Sequence, residues 1–543
     1  MRKIDMRSLI IGATALLLTG CGDGGDGPGS DAPAGDPVQG GTAVFGILTD
    51  FSGFNPVTNT STTTFDVMKQ MLYTPLIKYD ADLNIQPYLA ESWELTDNAV
   101  TFTLREDVMW HDGQPVTAED VKFTFDLAKN PETASLLGSA YVNMVESATV
   151  LDPRTIRFDF VAPHAQALDG FWWSPLPSHL LGDVAAAELT QAPYNQSPVG
   201  SGPFRFVQWQ RNQEMVMEAN PDFPEALGGR PYLDRVVFRI IPEATAMVTG
   251  LMNGELDVIG YTLLPDQAVQ VQNQQGIDVR SFPSREFTYI GWNNERPIFD
   301  NSATRQALAM SLNRPEIIEA LLHGFGEPAS GMIPPWSPMF NDIAPLDYDP
   351  AAAQQLLAQA GWADSNGDGI LDRDGQPFQF TLLVNSANRT HQDIATVVQQ
   401  QLREIGVQAE IRTAEFQTLL QQHKERDYDA VISNWTLDTF KVDPTPLFSC
   451  EQAEAELSAN RAGFCDPAID QLITSGVRTA DGGEAQQIWG RFSEALQQQQ
   501  PITFLYWTED LAAIGPRLQN VEMDARSKLV NVAEWWIPAD RQR

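Results

Sequence analysis

The apolar residues of this chain change period near residue 300, and that change limits the architecture more than any other feature. Between residues 41 and 300, short runs alternate apolar with polar residues, as in "TAVFGIL", "VTFTLRE", "TIRFDFV", "PFRFVQW" and "RVVFRII". Such alternation, rich in β-branched and aromatic residues, predicts strands. A helical patch interrupts it at "TAEDVKFTFDLAKN", where Thr117 stands as a cap with Asp120 three residues on. From about 302 to 425 a helical period takes over. Asn313-Arg-Pro-Glu316 opens one helix, stopped at Gly324, and Asp349-Pro350 opens another, stopped at Gly361. Ile394, Val397, Val398, Leu402 and Ile405 share one face of a third, stopped at Gly406. "VQAEIRT", a helix around 416–422 and "DYDAVISNW" then continue in a β-α-β rhythm. "PITFLYW" predicts a late strand that could run back to the first half. A chain of 543 residues exceeds one hydrophobic core, so the expected fold is α/β in more than one body, without internal repeats.

The N-terminus has its own logic. Arg2, Lys3 and Arg7 precede a mostly apolar run from Leu9 to Leu18. That run is too short to span a bilayer and has the form of a secretory signal. It ends in Leu18-Thr19-Gly20-Cys21, which resembles the lipobox of bacterial lipoproteins. The resemblance implies that residues 1–20 are removed and that Cys21 carries a lipid. Residues 22–40 contain seven Gly, four Asp and three Pro, too little apolar surface to offset ordering entropy. They are expected to form a flexible linker, 21–40, between anchor and folded body.

Charge and composition exclude several function classes. Removal of residues 1–20 takes away three basic residues and one acid, so the net charge of −36 becomes −38. So acidic a surface argues against nucleic acid and against adsorption to anionic lipid. The six His, at 111, 164, 179, 323, 391 and 423, form no metal-ligand spacing, and neither a nucleophile elbow nor a phosphate loop occurs. An exported hydrolase therefore lacks its machinery, and no enzyme and no cofactor are expected. One string is metal-like: in "DSNGDGILDRDG", Asp364, Asn366 and Asp368 match the start of a calcium loop, but Gly375 stands where the closing Glu belongs. An Asx/Gly turn accounts for it equally well. Cys450 and Cys465 enclose fourteen residues in an oxidising compartment, so a disulfide is expected, contributing roughly 3 kcal/mol. Of the abundant Trp, including Trp110, Trp172, Trp173, Trp209, Trp292, Trp435 and Trp507, most are expected in cores and some in a cleft.

A longer resemblance covers residues 40–540. "LAESWELTDNAVTFTLREDVMWHDGQPVTAEDVKFTF", "PVGSGPFRFVQW", "NPDF", "MNGELDVIG", "NNERPIFDNSATRQALAMSLNRPEII", "YDPAAAQQLLAQAGW" and "LREIGVQAEI" occur in the order seen in the extracytoplasmic solute-binding proteins of peptide/nickel-type ABC importers, family 5. The chain is similar to their dipeptide- and oligopeptide-binding members. The resemblance implies a periplasmic-binding-protein-like α/β fold, two lobes joined by a hinge, with an extra domain inserted in the first lobe. The first lobe would comprise 41–78, 196–292 and 510–543, the inserted domain 79–195, and the second lobe 293–509. Trp93, Phe102, Leu104, Trp110 and Thr117 are read as builders of the fold rather than of the ligand site.

The same resemblance implies a function: capture of a solute, a peptide foremost, between closing lobes, and delivery to permease subunits with cytoplasmic ATPases. The protein would be an exported monomer, lipid-anchored to the bacterial cell membrane, in the periplasm or on the cell surface. Peptide-binding members place an aspartate three residues after a Trp to meet the peptide α-ammonium, which here selects Trp435 and Asp438. Strand-like pairing with the peptide would fall to Asn434–Thr436 and to Thr60, Ser61 and Thr62. Phe416 falls at an aromatic pocket wall and His391 at a partner for a carboxylate. Two residues are inserted before Asp443-Pro444 relative to the family pattern. A sugar, opine or metal chelate on the same scaffold, and a sensing receptor coupled to a membrane signalling protein, stay open as alternatives. The anchor is directly testable. Cys21→Ser is expected to move the protein from the membrane fraction to the soluble fraction of its host, and a variant that still sediments with membranes would place the anchor elsewhere.

Overall fold

The computed structural model describes residues 35–543, apart from 134, 262 and the side chain of Ser139; Cys21 and the signal-like segment lie outside the described residues. Among those residues, eleven strands join in one mixed sheet. From one edge to the other run Gln408–Ala414, Gln379–Asn385, Ala430–Thr436, Asp278–Trp292, Ile502–Ile514, Val258–Ile259, Thr42–Ile47, Arg235–Ile240, Glu214–Ala219 and Phe204–Gln210, and Gly326–Pro328 pairs beside Ile502–Ile514. No described helix is long and apolar enough to cross a membrane.

Two strands in the middle are unusually long. Asp278–Trp292 has 15 residues and Ile502–Ile514 has 13, paired antiparallel from Asp278↔Ile514 to Gly291↔Ile502. Common strands have about 5–6 residues; these two are long because each serves both lobes. Phe282, Ala512 and Ile514 pack into one core with Phe45, Phe238 and Trp535. Phe287, Tyr289, Phe504 and Trp507 pack into another with Trp489 and Phe492. Ile290, Trp292 and Leu505 belong to a third, over the helices that begin at Ser302, Arg314 and Arg389. The change of core coincides with a break in register. Pro283 faces Glu509 and Phe287 faces Trp507, so Ser284, Arg285 and Glu286 stand opposite Thr508 alone. Extra residues on one strand bend it and increase its twist, and a second, smaller slip follows where Thr288 faces Tyr506 and Tyr289 faces Phe504.

The inserted domain carries a separate four-stranded antiparallel sheet, in the order Ala90–Thr96, Ala99–Leu104, Thr155–Phe160, Val145–Asp152. Its buried face is aromatic: Phe102 and Phe171 lie 4.9 Å apart, Phe158 and Phe171 4.8 Å. These rings belong to the same core as the first lobe.

The capping residues of the sequence stand where local chemistry puts them. Asn313, Asp349 and Asn388 each accept a backbone N–H at the start of the following helix. The helix Arg314–Leu322 stops one residue before Gly324, at His323 with φ 53°, because an αL residue there already frees the chain from helical geometry. Gly406, at φ +83°, stops Arg389–Glu404, whose Ile394, Val398 and Leu402 are buried. Asp120 does more than close a capping box. It is 3% exposed and accepts from the Thr117 N–H (2.9 Å), Trp110 Nε1 (3.3 Å), and the N–H (2.8 Å) and Oγ (2.7 Å) of Ser178. One buried carboxylate thus ties a tight turn, a helix start and a distant loop. Asp120→Ala strands those donors and is expected to cost about 3 kcal/mol in urea unfolding; a loss below about 1 kcal/mol would mean the donors find other partners.

Candidate functional site

The strand Ala430–Thr436 ends at the lobe boundary with most of one edge unpaired. On one side it pairs with Glu286–Trp292 along its whole length. On the other, only Ala430 and Val431 pair, with Leu382 and Leu383. Ile432 to Thr436 therefore present an open edge, the geometry on which an extended chain can add as a further strand.

Beyond Thr436 the chain leaves the sheet as a strap, Leu437 to Asp443, laid against the first lobe. The Leu437 N–H donates to the Arg285 carbonyl (2.8 Å). The Asp438 carbonyl accepts from Tyr141 Oη (2.7 Å) and Arg285 Nη1 (3.1 Å). The Val442 N–H donates to Gln166 Oε1 (2.9 Å). Between these anchors Phe440, 6% exposed, sits 4.8 Å from the Tyr79 ring, 5.4 Å from Trp172 and 5.4 Å from Trp336. The ring comes from the second lobe yet belongs to the core of the first.

Under the strap lies a small cavity of about 50 Å³, lined by Thr62, Asp66, Lys69, Leu137 and Tyr141 from one side and by Arg285, Thr436, Leu437 and Asp438 from the other. A neighbouring one of about 90 Å³ shares Ala140, Leu437 and Asp438 and adds Trp435, Met332, Lys441 and Asp443. Spaces of that size hold a few waters, so a larger solute enters only as the lobes part.

The charges around the cavity are perturbed by enclosure. Lys69 donates to Tyr141 Oη (2.8 Å) and its Nζ lies 3.8 Å from the Trp172 ring centre. Burial, then the neighbouring Arg285 charge, lowers its pKa to about 7. The surface Lys69 keeps opens into this cavity and into one of about 370 Å³ beside it. Burial raises the pKa of Asp66 and of Asp438, opposed for both by Arg285 and Lys69. Asp438 remains open to solvent at the cleft mouth; water reaches the carboxylate although protein surrounds most of it. No described residue donates a hydrogen bond or forms an ion pair to that carboxylate within ordinary bonding distance.

The structure brings Thr62, Thr436 and Asp438 into one cavity and sets Trp435 in the adjoining one. Asn434 and Thr436 direct their side chains to Glu286 Oε2, at 2.6 and 3.0 Å. Thr60 is exposed, whereas Ser61 is occupied in capping the helix Thr62–Val67, and its carbonyl already accepts from Asn59 and Phe65. Two expected residues stand apart. Phe416, 47% exposed, begins the helix Phe416–Lys424 and lines none of these cavities. His391, 6% exposed, is held by burial at a pKa of about 4, so it is neutral at pH 7 and offers no cation to a carboxylate in this conformation. Cys450 and Cys465 are bonded, with Cα atoms 4.5 Å apart. In the calcium-like turn, Asp364 accepts from the N–H groups of Gly367 (2.7 Å) and Gly369 (3.0 Å), and Asp368 from that of Ile370 (2.8 Å). Those carboxylates accept within their own turn, the arrangement the Asx/Gly reading expects, and among the described residues no group of three or more His, Cys, Asp or Glu is placed to hold a metal. Asp66, Lys69, Tyr141, Arg285 and Phe440 were not legible as site residues. The only sequence signal is a lone cation within an otherwise structural run, "FDVMKQML" for Lys69 and "SFPSREFTY" for Arg285.

Comparison with known proteins bears on the family and the fold. Residues 84–454 match the family model "Bacterial extracellular solute-binding proteins, family 5 Middle". The oligopeptide-binding protein AppA of Bacillus subtilis (strain 168) is 32% identical over 550 residues, 99% of each chain. The dipeptide-binding protein of Escherichia coli (strain K12) is 28% identical, over 86% of this chain and 89% of its own. The structure of AppA from Bacillus subtilis in complex with a nonapeptide matches with a TM-score of 0.78 at 30% identity, covering 93% of this chain and 100% of that one.

The strap makes a mechanical prediction. Phe440→Ala removes the ring that the second lobe buries in the first, at a cost of about 3 kcal/mol to lobe contact. Small-angle scattering of the ligand-free variant is expected to give a larger radius of gyration with cooperative melting retained. An unchanged scattering curve would mean that Phe440 does not hold the lobes together.

Proposed function

The chain belongs to the bacterial extracellular solute-binding proteins of family 5, and from that premise we propose that it captures a peptide between its lobes and delivers it to an ABC permease, with Asp438 taking the peptide α-ammonium. The observation that carries this reading is a carboxylate without a hydrogen-bond partner among the described residues, placed just beyond an open strand edge. An extended peptide would pair its backbone with Ile432 to Thr436, and its first residue would then reach the end of the strand, where Asp438 stands. Thr62 faces that point from the first lobe. Pairing through the backbone leaves side chains free to vary, which suits a transporter of many peptides.

In this reading the moving bodies are 41–78, 196–292 and 510–543 with the inserted 79–195 on one side, and 293–509 on the other. They turn about the bulge at Ser284–Glu286. The protein works as a monomer at the outer face of the cell membrane, tethered by a lipid on Cys21, and needs no cofactor. Its protein partners are the permease subunits and, through them, the cytoplasmic ATPases.

A desolvated ammonium needs a charged partner. Asp438→Asn keeps the shape, removes the charge, and is expected to weaken binding of a free-ammonium peptide by about 2–5 kcal/mol in calorimetry. An N-acetylated peptide should lose a comparable amount on the wild type. The pH dependence has a definite sign. Burial raises the Asp438 pKa above 3.8, and only the ionised form holds an ammonium. Affinity therefore falls with falling pH from a point above the ordinary aspartate range, and Asp438→Asn flattens that limb. Equal affinities for the free and acetylated peptides would refute the ammonium role.

A further inference from the structure

Asp438 shares its cavity with two cations whose charges no described carboxylate neutralises by direct contact. Arg285 makes no ion pair within 4 Å among the described residues; its Nη1 donates to the Asp438 carbonyl, at 3.1 Å. The group lies 5.8 Å from the Trp172 ring centre and 5.7 Å from that of Phe440. Aromatic rings hold a guanidinium in place while leaving N–H groups at its edge to donate elsewhere. Lys69 donates to Tyr141 and likewise rests on Trp172, without a carboxylate in contact.

The remaining charges nearby are committed. Lys528 pairs with Asp510 at 2.8 Å and Lys441 with Asp443 at 3.8 Å. Glu286 holds Asn434 and Thr436. Asp66 is engaged by the hydroxyls of Tyr261 (3.5 Å) and Ser527. If Asp438 is reserved for an ammonium, Lys69 and Arg285 face Asp66 alone. Burial, and then the Arg285 charge, holds Lys69 at a pKa of about 7, so an anion placed between the two cations would strengthen both charges. The bulge that forms the hinge is what aims Arg285 here: in regular pairing with Ile502–Ile514, residues 284–286 would lie within the ladder.

We propose that Lys69 and Arg285 form an anion-reading subsite beside Asp438, so that the preferred ligand carries a carboxylate close to its α-ammonium. This rests on the peptide reading above and names the ligand class within it. The carboxylate has two possible sources: the side chain of an acidic residue at the start of the peptide, or the C-terminus of a very short one. Either brings a negative charge, with Arg285 offering a forked donor to it and Lys69 a point charge.

Calorimetry on the full folded chain with four peptides tests this. Asp-Ala-Ala-amide is compared with Asn-Ala-Ala-amide for the side-chain source, and Ala-Ala with Ala-Ala-amide for the terminal source. The wild type is expected to prefer the carboxylate member of one pair at least tenfold, as charge-assisted hydrogen bonds in a desolvated site do. Arg285→Gln is expected to bring that ratio below about threefold. Lys69→Gln gives the same reading should the first variant fail to melt cooperatively, and the wild-type ratios stand whichever variant folds. Wild-type ratios near one in both pairs would overturn the subsite, as would ratios that survive both substitutions. If no free-ammonium peptide binds at all, the peptide reading falls and the subsite with it; if peptides bind but the ratios are flat, the subsite alone falls.

Discussion

Every long-range feature of this protein depends on the pairing of Asp278–Trp292 with Ile502–Ile514. These two strands run through both lobes, and each contributes apolar side chains to a different core at each end. Rigid cores resist deformation because close-packed side chains tolerate few voids. The pairing slips at Ser284–Glu286 and again between Thr288 and Tyr289, and the hinge proposed above is the first and larger of these slips. A hinge made this way needs no flexible linker. In the proposed motion the ladder on each side stays closed, and the lobes move by a change of twist at the bulge.

The same bulge brings Arg285 to the lobe boundary, and this links mechanics to recognition. The strap after Thr436 is held to it twice, through the Leu437 N–H and the Asp438 carbonyl. Asp438 is consequently positioned by the hinge and not by its own strand alone. Its carbonyl is satisfied by Tyr141 and Arg285 while its carboxylate has no hydrogen-bond partner among the described residues. Gathering Asp66, Lys69, Arg285 and Asp438 in a small cavity works against stability: burial pushes both carboxylate pKa values up and the lysine down to about 7. Phe440, set among Tyr79, Trp172 and Trp336, offsets part of that cost with apolar burial beside the charges. Binding sites are a common place for such local conflict, because groups kept ready for a ligand cannot be satisfied by the protein itself.

Much of the scaffold was legible along the chain because its signals are local. A cap such as Asn313 or Asp349 acts on backbone groups within a few residues, and the buried face of Arg389–Glu404 repeats with the turn of the helix. Asp438 and Thr62, which line one cavity, were singled out through resemblance, which carries the outcome of a fold without deriving it. His391 and Phe416 came the same way; the structure buries the first in the opening turn of the helix Arg389–Glu404 and leaves the second on the surface, both apart from that cavity.

By itself, then, the sequence determined the alternation of strand and helix, the stops at residues such as Gly406, the split into two differently textured halves and the return of the final long strand. Those follow from propensity and periodicity, which act over a few residues. Only the tertiary structure decided that Lys69, Tyr141, Arg285 and Asp438 meet in one cavity, that Phe440 crosses from one lobe into the core of the other, and that Asp364 and Asp368 are consumed by their own turn. Lys69 and Asp438 are hundreds of residues apart in the chain, and what joins them is the register of two strands and the slip within it. No local pattern encodes that slip, because it is set by how two already formed halves pack against each other.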